Sequence, residues 1–357
     1  MRIMLLFGSF SNSGGTERVG SLIANGLSKA GHKIIATSIS CDDKKPFFPL
    51  EKNIKLISLF KSSGRALYRA PVISYKLRKL ILNEKVDVLI VIETMAVLFT
   101  LPAVAGISVK HICWEHFNFN NDLGKKGRRF ARQLAARYCD SVVTLTERDK
   151  EYWIQGTKHK NQITAIPNPC PFPVQKNSSC DSKIVLAVGR LVHIKGYDLL
   201  LKAWLKVANE APDWKLKIVG EGEERDSLTR FIIDNSLSDS VELVGKTNDV
   251  KKYYEQAEIF CLSSRFEGFP MVLLETLSFG LPVVSFDCDT GPAEILNETG
   301  SILIEPYDTN LLAAGLLKLM DDADLRKSIS LKSKEKAKQY QPSKIIEEWV
   351  SLINRLH

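Results

Sequence analysis

Apolar residues recur along this chain in two rhythms, and their alternation sets the architecture. Apolar runs at 2–7, 86–92, 183–188, 258–262 and 282–286, each with at most one charged residue, have the length and composition of strands buried on both faces, and 214–219 reads as a further strand. Between them lie stretches with helical spacing. Residues 16–30 place Val19, Leu22, Ile23 and Leu27 on one face, and 72–82 interleave Lys76, Arg78 and Lys79 with Val72, Ile73, Leu77, Leu80 and Ile81. Further strands are expected at 33–39, 111–114, 141–146, 162–166, 241–244 and 301–305. Further helices are expected at 197–209, 224–235, 250–257 and 271–278, with a long helical tail running to His357. Residues 41–70 read as irregular. Strands alternating with helices predict an α/β protein on parallel sheets.

Pro167-Asn168-Pro169-Cys170-Pro171-Phe172-Pro173 breaks this rhythm, because proline restricts both itself and its predecessor. With the polar tract that follows, it predicts two domains, 1–170 and 183–340, joined by a linker at 171–182. A chain of 357 residues can fill two such cores.

Two stretches of the second domain carry candidate chemistry. The strand ending at Val188 runs into Gly189-Arg190-Leu191-Val192-His193-Ile194-Lys195-Gly196. Arg190 offers a planar fork and Lys195 a point charge, so together they can neutralise a diphosphate without a metal. The strand ending at Leu262 enters Ser263-Ser264-Arg265-Phe266-Glu267-Gly268-Phe269-Pro270-Met271-Val272-Leu273-Leu274-Glu275. Pro270 suits a first helical turn, which leaves the N–H groups of 268–272 available to an anion or to sugar hydroxyls. The carboxylates of Glu267 and Glu275 accept hydrogen bonds from hydroxyls. A polyol attached to a phosphate fits both offers. Taken separately, each stretch is also compatible with ordinary solvated surface.

Jointly, Gly189-Arg190-Leu191, Lys195-Gly196, Glu267-Gly268-Phe269-Pro270 and Glu275 resemble glycosyltransferase family 4, whose E-x7-E motif the glutamate pair matches. The resemblance covers essentially the whole chain. It implies a retaining, nucleotide-sugar-dependent transferase with the GT-B fold, α/β, two Rossmann-like doubly wound domains facing a central cleft. It implies that the second domain holds the donor, with Arg190 and Lys195 on the diphosphate, Glu267 on the donor sugar and Glu275 on the ribose. Backbone of Gly268, Phe269, Pro270, Met271 and Val272 would position sugar and phosphate, and the base would lie near Gly245-Lys246. His116, at the end of the strand His111-Ile112-Cys113-Trp114, would contact the donor sugar. Glu115 would face the acceptor or support its neighbours. The last helix, 341–357, would cross back onto the first domain. The run Asp287-Cys288-Asp289-Thr290-Gly291-Pro292-Ala293-Glu294-Ile295 resembles members that build bacterial surface polysaccharides, many of which use UDP-galactose, UDP-N-acetylgalactosamine or UDP-glucose. The expected reaction is hexose transfer from such a donor to a lipid-linked oligosaccharide or polysaccharide. A sugar-nucleotide epimerase or hydrolase of the same fold is the alternative.

Charge refines the picture of partners. The net charge of +8 divides into +13 over residues 1–170 and −5 over 171–357. The first half therefore suits an anionic partner. Its basic excess is spread out and carries no nucleic-acid motif, so nucleic acid is not expected. From Gly127 to Arg137 the spacing predicts a basic amphipathic helix with Phe130, Leu134 and Ala131 on its apolar side, and Arg128, Arg129 and Arg132 free to meet an anionic membrane face. Gly14-Gly15 before the first helix is not a dinucleotide fingerprint, but glycine there lets Gly15 approach a ligand closely. The seven cysteines are odd in number and lack C-x-x-C spacing, and the Asp287-x-Asp289 pair makes a poor cation site on its own. No metal and no cofactor are expected. With no apolar run of about 18 residues and no signal-like start, a cytoplasmic place is expected, peripheral at the inner face of the plasma membrane.

Overall fold

In the computed structural model, which describes residues 1–12, 14–40, 46–61, 69–122, 124–175 and 182–357, the strands form two parallel sheets, one in each of two units. Unit 1 comprises Met1–Pro169 and Pro342–His357, and unit 2 comprises Cys170–Gln341. Lys44, Lys45, Arg65 and most of the polar tract at 175–182 lie outside the described residues.

The sheet of unit 1 contains β1 (Arg2–Ser9), β2 (Lys33–Ser40), β3 (Lys55–Phe60), β4 (Val88–Ile92), β5 (Lys110–Trp114), β6 (Ser141–Thr144) and β7 (Gln162–Ala165), in the order β3-β2-β1-β4-β5-β6-β7. Its central strands have neighbours on both edges and helices on both faces. That is why β1 and β4 show continuous apolar runs instead of alternation, and why residues 3–7 and 88–92 are all buried. The covering helices are α1 (Gly15–Lys29), α2 (Ala70–Glu84), α3 (Val97–Val104), α4 (Lys126–Tyr138) and α5 (Glu147–Gly156).

Unit 2 contains β8 (Ile184–Val188), β9 (Lys215–Val219), β10 (Val241–Gly245), β11 (Ile259–Leu262), β12 (Val283–Phe286) and β13 (Ile302–Ile304), in the order β10-β9-β8-β11-β12-β13. Helices α6 (Tyr197–Glu210), α7 (Arg225–Asp234), α8 (Lys251–Gln256), α9 (Met271–Phe279), α10 (Pro292–Leu296), α11 (Thr309–Asp321) and α12 (Ala323–Ala337) surround it. Trp204, Leu200, Leu216, Ile218, Leu312 and Leu316 fill the core between the sheet and the helices α6 and α11.

The chain then returns to unit 1 as α13 (Pro342–Arg355). There α13 packs so tightly on α1 that a Cβ on Gly26 would stand 2.3 Å from Ile346 Cδ1. Its Trp349 meets Trp114 at the end of β5, ring centroids 4.9 Å apart.

Two expectations are corrected, and one helix was not foreseen. Residues 41–70 are not wholly irregular, because β3 lies within them. Among the described residues it pairs only with β2, and Leu59 is its one buried side chain, so an edge position dilutes the apolar signal. The apolar stretch after β4 forms α3 despite Pro102 inside it. The tail is three helices, broken at Gln341-Pro342 where proline starts α13.

In both sheets the strand order reverses once, between β1 and β4 in unit 1 and between β8 and β11 in unit 2. At such a point the loops leaving the two strands diverge to opposite faces and leave a crevice at the carboxyl ends, the general place for ligands in open α/β sheets.

Candidate active site

The loops leaving β8 and β11 are locked together at the reversal point of unit 2. Gly196 sits at φ +64°, and a Cβ there would lie 2.0 Å from Ser263 O, so the basic loop rests directly on the glutamate loop. Arg265 fastens them: its guanidinium grips Asp198 through two bonds of 2.7 Å, and Nη1 also donates to His193 O at 2.8 Å. The Arg265 N–H reaches Ile194 O at 2.8 Å, and Ser263 Oγ donates to Lys195 O at 3.1 Å. Burial alone would raise the Asp198 carboxyl, but the hydrogen bonds and charge of Arg265 outweigh it and hold it below its usual value.

This registration brings Lys195 onto Glu267. Lys195 Nζ donates to Glu267 Oε1 at 2.7 Å and Ser264 Oγ to the same oxygen at 2.6 Å, in a pair that is largely buried. The run after β12 buttresses the glutamate from below. Thr290 Oγ1 donates to Glu267 O at 3.0 Å, Cys288 Sγ to Ser264 O at 3.0 Å, and Gly291 packs on Pro270. Burial, reinforced by the charge of Glu267, pushes the Cys288 thiol up to about 12, so it stays a neutral donor. The same two causes push the phenol of Tyr197 upward. Asp287 and Asp289 join no metal site: among the described residues no group of three or more His, Cys, Asp or Glu side chains gathers around one point.

Arg190 lies exposed on the same loop as Lys195, and Lys246 is exposed just beyond β10. Gly268, Phe269 and Pro270 lead into α9, and the N–H groups of Met271 and Val272 donate to no carbonyl among the described residues. Glu275 is placed differently from its partner in the motif. It is 4% exposed, and its Oε2 accepts from the buried Tyr254 hydroxyl at 2.8 Å. Lys195 and Glu267 thus come into direct contact, Arg190 lies exposed on the same loop as Lys195, the first turn of α9 follows the loop that carries Glu267, and Glu275 is buried within α9. Sequence reasoning missed Ser264, Arg265, Asp198, Thr290 and Tyr254, none of which carries a motif of its own.

Gly15 and His116 belong to unit 1. Gly15 opens α1, and a Cβ there would meet nothing within 4 Å. His116 follows Glu115 off the end of β5. It is half-buried, its Nε2 has no partner among the described residues, and burial lowers its pKa to about 3, leaving a neutral ring. Glu115 is the hub of this end of the sheet. Its carboxylate accepts from Thr94 Oγ1 at 2.6 Å, Arg132 Nε at 3.0 Å, and the N–H groups of His116 at 3.0 Å and Phe117 at 3.1 Å.

The expectation for α4 is overturned here. Arg128 and Arg132 are each 1% exposed and point inward, Arg132 to Glu115 and Arg128 to Glu93 at 2.7 Å, whereas Phe130 is 61% exposed. A buried carboxylate demands a buried cation, and two arginines with aromatic lids, Phe117 and Phe119, supply it. Of the three arginines, only Arg129 faces solvent.

Two nucleotide-fold units, one with a basic loop facing a glutamate at its reversal point, define the protein class, and sequence comparison supplies the family. Residues 13–171 match the model described as Glycosyltransferase Family 4, and residues 172–336 that described as Glycosyl transferases group 1. The chain belongs to these glycosyltransferases. An uncharacterized glycosyltransferase of Haemophilus influenzae is 37% identical, covering 97% of this chain and 98% of its own. A Campylobacter jejuni α-1,4-N-acetyl-D-galactosaminyltransferase, named for an undecaprenol-diphosphate-linked substrate, is 30% identical over 96% of this chain and 95% of its own. Among solved structures, HepE of Anabaena in complex with UDP and glucose superposes with a TM-score of 0.80 at 18% identity, over 99% of both chains. That likeness establishes the GT-B fold.

Proposed function

We propose that this enzyme moves a hexose from a UDP-sugar onto a lipid-linked or polymeric glycan in the assembly of a bacterial surface polysaccharide, with retention of configuration. The observation that carries the reading is the junction of Lys195, Glu267 and the open first turn of α9 at the β8/β11 crevice. A diphosphate there would meet Lys195, Arg190 and the amides of Gly268, Phe269, Met271 and Val272. Charge builds on the leaving diphosphate in the transition state, and fixed cations stabilise it most where water is excluded. As Lys195 turns to the phosphates, Glu267 is released to accept from hydroxyls of the donor sugar. Glu275, bonded to Tyr254, is the motif's candidate for the ribose, and Lys246 that for the base. His116, neutral and half-buried, and Gly15, at the start of α1, are the residues of unit 1 proposed for the donor sugar. The UDP bound to the Anabaena relative and the undecaprenol-linked substrate of the Campylobacter relative support the donor and acceptor classes. The exposed Lys125, Arg129 and Arg137 of α4 and its N-terminal flank are the groups that would meet an anionic bilayer.

Thermal-shift screening against UDP, GDP, ADP and their common sugars tests the donor. UDP at 100 times its dissociation constant adds about 2.7 kcal/mol of stability, a readily measured rise in Tm. The Glu267→Gln variant should keep the UDP shift and lose at least about a hundredfold in turnover. NMR of the product anomer reads the stereochemistry. A shift selective for GDP or ADP would overturn the donor assignment, and wild-type turnover in Glu267→Gln would overturn the role of that residue.

A further inference from the structure

The reversal point of unit 2 has a counterpart in unit 1, where β4 stands to β1 as β11 stands to β8. The residue that follows β4 is Glu93. Its backbone lies at φ +84° and ψ +125°, a conformation costing on the order of 1–3 kcal/mol for a residue with a Cβ. The surroundings over-determine it. Its N–H donates to Trp114 O at 3.0 Å, and its carbonyl accepts from Ala96 at 3.2 Å. Its Oε1 accepts from Arg128 Nη2 at 2.7 Å. Arg128 is buried, whereas the Glu93 side chain is 37% exposed. Arg128 Nε and Nη1 have no hydrogen-bond partner among the described residues, and Nη1 stands 3.8 Å from Glu115 Oε1. A buried cation with spare donors therefore fixes a carboxylate at the carboxyl edge of the sheet. Glu93 Oε2 has no partner among the described residues, and the helix that follows the neighbouring strand β1 opens at Gly15, where a Cβ would meet nothing within 4 Å.

We propose that Glu93 binds a hydroxyl of the carbohydrate acceptor, with Arg128 as the residue that positions it. A surface carboxylate repels phosphate and accepts hydrogen bonds from neutral polyols, which gives the chemical class of the ligand. The strain fits this use, because a side chain held against local preference points where the strand end alone would not send it. The assignment rests on the reading of unit 1 as the acceptor-holding unit.

The test measures transfer from UDP-galactose, UDP-glucose and UDP-N-acetylgalactosamine to the octyl glycosides of the same three sugars. Glu93→Gln keeps the shape and an oxygen for Arg128 but weakens the acceptor, so it should raise the acceptor KM at least about tenfold. The Kd for UDP should stay within about twofold of the parent. Glu93→Asp, which tolerates positive φ but withdraws the carboxylate, should raise the same KM and serves if the first variant folds poorly. An unaltered acceptor KM in both variants overturns the role of Glu93 and leaves the transferase reading standing. A parent enzyme that consumes donor but transfers to none of these glycosides overturns Glu93 as a sugar-acceptor residue. Failure to bind UDP at all strikes the donor reading of unit 2 instead, and this assignment with it.

Discussion

A methyl group at residue 196 would stand 2.0 Å from a backbone oxygen on a main chain that already has φ +64°. Gly196→Ala must therefore push the Lys195 loop off the Ser263 loop. The left-handed conformation alone costs about 1–2 kcal/mol for alanine, and the clash adds to it. Turnover should fall at least about tenfold, since displacements of an ångström at a reacting centre cost that or more. Steady-state kinetics beside a Tm measurement separates the lost geometry from lost folding. Lys195 and Glu267 were legible in the sequence because a strand end followed by glycine places side chains at a ligand edge. The depth of Glu275 was not legible. Its burial depends on Tyr254, twenty-one residues away on another helix, and no local pattern encodes that pairing.

On α4 the inward face is written in small residues. Ala131, Ala135 and Cys139 recur every four positions and are fully buried, and Arg128 and Arg132 share their side of the helix. Of the residues expected on the apolar side, Ala131 is buried and Leu134 packs on the core, but Phe130 points outward and the arginines take its place, which a count weighted by large apolar side chains does not show. The energetic consequence is specific. Arg132→Met leaves Glu115 buried without its main cation and should cost about 3–5 kcal/mol, read by urea unfolding. Arg129→Glu loses a surface pair with Asp122 and should change stability by no more than about 0.5 kcal/mol. Charge reversal for liposome flotation therefore belongs at Arg129 and Arg137. At Arg128 or Arg132 it would report unfolding. The edge strand β3 and the proline-containing α3 were illegible for a related reason, since each takes its conformation from a neighbour and not from its own pattern.

Across the whole molecule, two histidines, the buried His111 and the half-buried His116, tie stability to pH. Burial lowers His111 to about 4, against the opposing pull of Asp140, and His116 to about 3, both from an ordinary value of 6.5. The unfolded chain binds these protons first as pH falls. Their contribution is thus complete above pH 6.5 and is lost progressively toward pH 4 and below. Tm measured across that range should decline, and the slope should flatten in a His111→Gln/His116→Gln double variant. Strand–helix alternation carried the α/β class, but the order of strands within each sheet is a property of long-range pairing that no window of sequence contains.

The return of α13 to unit 1 makes unit 2 an insertion within it. Synthesis proceeds from the amino end, so a nascent chain that has emerged through Gln341 carries every residue of unit 2 but an unclosed unit 1. Until the last helix leaves the ribosome, Trp114 and the Gly26 face of α1 lack their cover from Trp349 and Ile346. Unit 1, although begun first, is finished last.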